Sequence, residues 1–74
     1  MTYLELIFSL NSTEEFHKDL LINALSEIGF DTFEDTGQGF KAYIPESELD
    51  QQKLDGLAAD FAELFSFTYV LNKI

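Results

Sequence analysis

Gly29-Phe30-Asp31-Thr32-Phe33-Glu34-Asp35-Thr36-Gly37-Gln38-Gly39-Phe40-Lys41-Ala42-Tyr43-Ile44-Pro45 decides the fold. Gly29 reads as the left-handed residue that ends a helix. Phe30 to Asp35 is short and acidic, as an edge strand tends to be. Its inner face is ambiguous, because Phe30 and Phe33 cannot point the same way in a regular strand. Gly37 and Gly39 are expected to supply the positive φ of a hairpin turn over Thr36–Gly39. Phe40, Ala42 and Ile44 alternate with Lys41 and Tyr43, the period of a half-buried strand. Pro45 ends that strand, having no N–H for the ladder.

The flanks follow the same plan. Tyr3 to Ser9 alternates, with Leu4, Leu6 and Phe8 on one face and Tyr3, Glu5, Ile7 and Ser9 on the other. Asn11 to Glu15 opens a helix, with Ser12 and Glu15 at capping-box spacing. Phe16, Leu20, Leu21, Ala24, Leu25 and Ile28 form its apolar stripe. Ile22 falls outside it, and Glu14 and Lys18 make an i,i+4 pair. Ser47 is the expected cap of a second helix, whose stripe is Leu54, Leu57, Ala58, Phe61 and Leu64, extended by Phe65. Gly56 within it reflects either a close approach to the sheet or simple tolerance. Phe67 to Lys73, rich in β-branched and aromatic residues, is the last strand.

The order is strand, helix, strand, strand, helix, strand. Two split crossover units predict an α+β, ferredoxin-like βαββαβ sandwich: a four-stranded antiparallel sheet with both helices on one face. Right-handed crossovers predict the spatial order 4-1-3-2. At 74 residues the chain makes a single domain, residues 1–74, and the end of the last strand at Ile74 suggests one domain of a longer chain.

Composition narrows the chemistry. Fourteen acidic residues face four lysines and no arginine, a net charge of −10. That field repels a phosphate backbone, so nucleic acid is not an expected partner, and it attracts basic proteins. The apolar runs are too short to span a membrane. There is no cysteine, which excludes disulfides and thiolate sites and agrees with a cytoplasmic protein.

Three constellations invite a catalytic reading, and each has a simpler one. His17, the single histidine, lacks companion ligands and reads as a covered side chain at the end of the stripe. Asp35-Thr36-Gly37-Gln38-Gly39 matches the acidic-x-Gly-x-Gly loop of nucleotide and S-adenosylmethionine sites. Such loops follow a buried strand and open a helix; here they connect two strands. Glu46, Glu48 and Asp50 lack the glycine and terminal glutamate of a calcium loop and read as a solvated helix start. No catalytic, cofactor-binding or metal-binding residue is assigned. The open sheet face holds Tyr3, Glu5, Ile7, Lys41 and Tyr43. Aromatic and aliphatic groups among acids make either a protein-docking surface or an ordinary solvated face.

Tyr3-Leu4-Glu5-Leu6, Glu27-Ile28-Gly29-Phe30-Asp31-Thr32-Phe33 and Gly39-Phe40-Lys41-Ala42-Tyr43-Ile44-Pro45 resemble the N-terminal domain of ribosomal protein L-eleven methyltransferase, the PrmA family. The resemblance covers nearly the whole chain. It rests on fold-determining segments, none catalytic. It implies a small substrate-recognition domain ahead of a linker and a Rossmann-type domain, which transfers methyl groups from S-adenosylmethionine to amino groups. Its implied partners are a basic ribosomal protein and that C-terminal methyltransferase domain. The chain stops before the catalytic part, so no cofactor in this fragment is implied. The alternative is a small-molecule-binding regulatory module that dimerises through its sheet.

Overall fold

The structure is a computed structural model that describes every residue except Met1 and Thr13. Its elements are β1 (Tyr3–Leu10), α1 (Glu15–Glu27), β2 (Thr32–Asp35), β3 (Gly39–Pro45), α2 (Gln51–Phe61) and β4 (Phe67–Lys73), with a 3-10 turn over Glu46–Glu48 before α2. The sheet order is β2-β3-β1-β4, and all three pairings are antiparallel. This is the ferredoxin-like arrangement expected from the split crossover units.

Period two does what it promises in the central strands. Leu4, Leu6 and Phe8 of β1 and Phe40, Ala42 and Ile44 of β3 are buried in register against one another. Leu21 and Leu25 of α1 and Leu54 of α2 close over them, with Phe30 and Phe65 from the loops. Phe8 is the hub. Its ring stacks on Phe40 at 5.1 Å, meets the edge of Phe30 at 6.1 Å, and lies 5.8 Å from Phe67 and 5.5 Å from Tyr69. Burying a side chain of that size contributes about 1.5–3 kcal/mol.

Gly29 ends α1 as expected, at φ 113°, and Phe30 N–H reaches back to Leu25 C=O at 3.2 Å. That six-residue closure carries Phe30 into the core next to Leu25, the hydrophobic contact typical of a Schellman ending. It also resolves the ambiguity of Phe30 and Phe33. Phe30 lies in the loop before β2, while Phe33 pairs with Ala42 on the helix-facing side.

Other expectations change. Gly29 is the one glycine with positive φ among the described residues, so neither Gly37 nor Gly39 provides it. The Thr36–Gly39 turn forms nonetheless, with Thr36 N–H to Gly39 C=O at 3.0 Å. Gly39 is needed for room, because a Cβ there would lie 2.0 Å from the Phe8 carbonyl oxygen.

The α1 stripe is rotated by about one position from the predicted one. His17, Leu21 and Leu25 are its buried line, and Ile22 packs on the core. Phe16 is 55% exposed and Leu20 37% exposed. The capping box does not form. Glu14 is the N-cap residue, and Ser12 Oγ instead accepts from the Glu14 N–H and pairs with His17 Nδ1 at 2.6 Å. Thr13, part of the predicted helix start, lies outside the described residues. Lys18 pairs with Asp35 at 2.9 Å and Glu15 at 3.8 Å rather than with Glu14.

The second helix begins later than Ser47. Asp50 caps it, accepting from Gln52 N–H at 2.9 Å, and Ser47 lies within the 3-10 turn. Leu57 and Phe61 pack partly against the core, whereas Ala58 and Leu64 face solvent. Nothing approaches within 4 Å of a Cβ placed on Gly56, so a close approach to the sheet does not account for it.

Candidate protein-docking surface

The side of the sheet opposite the helices is uncovered. β1 contributes Tyr3, Glu5, Ile7 and Ser9 to it, and β3 contributes Lys41 and Tyr43, so the five residues expected there do share one face. Register arranges them in rows across the strands. One row runs Thr32, Tyr43, Glu5, Asn72, and the next Glu34, Lys41, Ile7, Val70. Thr68, Val70 and Asn72 of β4 therefore belong to the surface too. The signal for them was the period of two in Phe67 to Lys73, which opposes them to Phe67, Tyr69 and Leu71.

Polar tips on this face are held in place by one another. Tyr43 Oη donates to Glu5 Oε2 at 2.9 Å, and Asn72 Nδ2 donates to Glu5 Oε1 at 3.4 Å. Both oxygens of one carboxylate thus tie β3 and β4 to β1. Tyr3 Oη donates to Asp31 Oδ2 at 2.9 Å. Each hydrogen bond to a carboxylate favours the neutral phenol, so the pKa values of Tyr43 and Tyr3 are raised above the usual 10. Ile7 and Val70 sit side by side in register, Ile7 half-buried and Val70 60% exposed. Half-covered aromatic and aliphatic groups with pre-oriented polar tips suit contact with another protein.

Charge is divided unevenly between the two sides. Glu5, Asp31 and Glu34 lie on or beside the open face with Lys41. The other eleven acids and three lysines lie in the helices, their approaches and the helix-facing parts of the sheet. The net −10 therefore splits into −2 on the open face and −8 on the helix side.

His17 is a packed core residue. Its ring stacks on Phe65 at 4.9 Å and lies 4.3 Å from Phe16, and Ser12 takes up its Nδ1. Glu46 pairs with Lys73 at 3.3 Å, and Asp50 is spent on its helix cap, so two of the three acids before α2 have structural partners. A cleft of about 420 Å³ opens between the start of α1 and the β2–β3 turn. Of its polar groups, Lys18 is already paired with Asp35 and Ser12 with His17.

The Asp35–Gly39 run does not fit an S-adenosylmethionine loop. The Asp35–Gly39 run joins two antiparallel strands and opens no helix, so it lacks the helix N-terminus on which such a loop depends.

No family profile matches the chain, and no solved structure matches it. A curated relative does: ribosomal protein L11 methyltransferase of Phocaeicola vulgatus, 33% identical over 61 residues. The match covers 82% of this chain and 22% of the relative. This chain, a ferredoxin-like α+β domain, is accordingly a sequence relative of ribosomal protein L11 methyltransferase over most of its own length and about a fifth of the relative's.

Proposed function

We propose that residues 1–74 form the substrate-recognition domain of an S-adenosylmethionine-dependent protein methyltransferase acting on a large-subunit ribosomal protein. In this reading the catalytic domain, the cofactor and the amino-group chemistry belong to a C-terminal part of the same protein, and the complex works in the cytoplasm. The observation that carries the reading is the sequence relationship to ribosomal protein L11 methyltransferase across 82% of the chain. The open face supplies the contact surface, with Tyr3, Glu5, Ile7, Lys41 and Tyr43 at its centre. The net charge of −10 supports it independently, because it steers a basic protein toward this domain.

The test is an NMR titration of the labelled domain with purified ribosomal protein L11 at low salt. Shifts should centre on the open face and weaken as salt rises. Tyr43→Ala should weaken binding about tenfold, or about 1.4 kcal/mol. Absence of shifts at low salt would refute the assignment, and shifts confined to the helices would refute the choice of face.

One observation favours the alternative of a small-molecule-binding module that dimerises through its sheet. β4 is an edge strand, and Val70, Leu71 and Ile74 are 60%, 42% and 70% exposed. An edge strand whose one charge is Lys73, at its end, invites strand pairing. Sedimentation that finds a monomer at high concentration would remove this reading.

A further inference from the structure

The helix side carries a second exposed surface, different in character from the sheet face. Phe16 and Leu20 stand one turn apart on the outward side of α1, 55% and 37% exposed, and Leu64 beyond α2 is 55% exposed. A run of aromatic rings links the two helices beneath them. Phe16 lies 4.3 Å from His17, His17 stacks on Phe65 at 4.9 Å, and Phe65 stacks on Phe61 at 5.2 Å. The start of α1 and the end of α2 are thereby fixed side by side. Glu15 and Asp19 flank Phe16 and Leu20 in sequence, and Asp60 and Glu63 flank Phe61 and Leu64; all four acids are exposed.

Phe16, Leu20 and Leu64 leave apolar surface in water that an apolar side of a partner could cover. The chemistry around them states what could. A second copy of this chain would bring another −8 surface against this one and meet like-charge repulsion. A phosphate-bearing or acidic partner is disfavoured for the same reason. A helix with an apolar side and lysines or arginines at its margins satisfies both features at once, in the manner of helix-in-groove recognition.

We infer that the Phe16–Leu20–Leu64 patch is a docking site for a basic amphipathic helix of a partner protein, separate from the open sheet face. The inference does not depend on the ribosomal reading, and the two fail independently.

The probe is a fluorescein-labelled synthetic peptide of leucine and lysine at helical amphipathic spacing, followed by anisotropy and by NMR of the labelled domain. Expected is saturable binding, with shifts at residues 16–20 and 60–65 and an affinity that falls at least tenfold between low and high salt. A scrambled peptide of the same composition should bind at least tenfold more weakly. Phe16→Ser with Leu64→Ser should lower affinity at least tenfold, and circular dichroism checks that the pair still folds. Asp60→Asn with Glu63→Gln keeps the apolar patch and should reduce the salt dependence. The inference is overturned if scrambled and ordered peptides bind alike, if Phe16→Ser with Leu64→Ser binds like the parent, if the shifts fall on the sheet face, or if the patch proves to be covered by a second copy in sedimentation.

Discussion

Replacing Gly39 with alanine tests the packing of β1 against β3 at its tightest point. The new Cβ would lie 2.0 Å from the Phe8 carbonyl oxygen, 2.9 Å from its carbonyl carbon and 3.2 Å from Ser9 Cα. All three are backbone atoms of the central strand, so no side chain can turn aside. Favourable separations for such atoms are about 3.5 Å or more, so the strands must part by roughly 1 Å or more. Parting them strains the Ser9–Gly39 end of the ladder and the Leu10 N–H to Gln38 C=O bond at 3.3 Å. Overpacking of this kind costs about 1–3 kcal/mol, and each hydrogen bond lost costs about 0.5–1.5 kcal/mol more. We expect a loss of about 3 kcal/mol, against a total near 4–11 kcal/mol for a domain of this size. The thermal midpoint should fall by about 12–24 °C. Urea and thermal melts followed by circular dichroism measure it. Gly56→Ala is the internal control: its Cβ meets nothing within 4 Å on an exposed helix, so it should stabilise by about 0.5–1 kcal/mol. A Gly39→Ala variant within 0.5 kcal/mol of the parent would show that the strands are not held this closely.

The rotated stripe of α1 predicts that Leu21→Ala loses about 2–5 kcal/mol while Leu20→Ala loses less than about 1 kcal/mol, a contrast readable in the same melts. Asp50→Ala should lose about 1 kcal/mol of stability through the uncapped α2, whereas Ser47→Ala should be nearly silent; equal losses would contradict the assigned cap. Ultraviolet titration of the phenols should place Tyr3 and Tyr43 above 10, and Asp31→Ala should return Tyr3 toward the ordinary value. Because the folded pKa values are raised, the stability from these two bonds is fully present below pH 10 and disappears as pH rises through the folded values.

The fold was legible where one physical preference dominated. Alternation in β1 and β3, the glycine at the end of α1 and the short acidic second strand were enough to predict the topology and the spatial order. Capping and phase were harder to read. Ser12 had the spacing for a capping box, but tertiary packing brought His17 within reach of its hydroxyl. Apolar periodicity drew Phe16 and Leu20 into the predicted stripe because it cannot tell a buried phenylalanine from an exposed one. The five residues of the open face were legible from alternation alone. Their β4 neighbours were not assigned, because Val70 and Leu71 are apolar in both phases of that strand. The division of charge between the faces depends on topology, and composition does not contain it.

The position of β1 also governs when this domain can become a domain. The first strand is an inner one, and both its neighbours come from far along the chain, residues 39–45 on one side and 67–73 on the other. In a chain emerging from the ribosome, Leu4, Leu6 and Phe8 must wait with an open edge until the final strand is available. Closure of such distant pairings is slow and exposes apolar surface meanwhile. A nascent chain ending before Phe67 would hold three of the four strands, with β1 left as an open edge. The last seven residues of the sheet therefore act as the step that commits the whole chain to its native state.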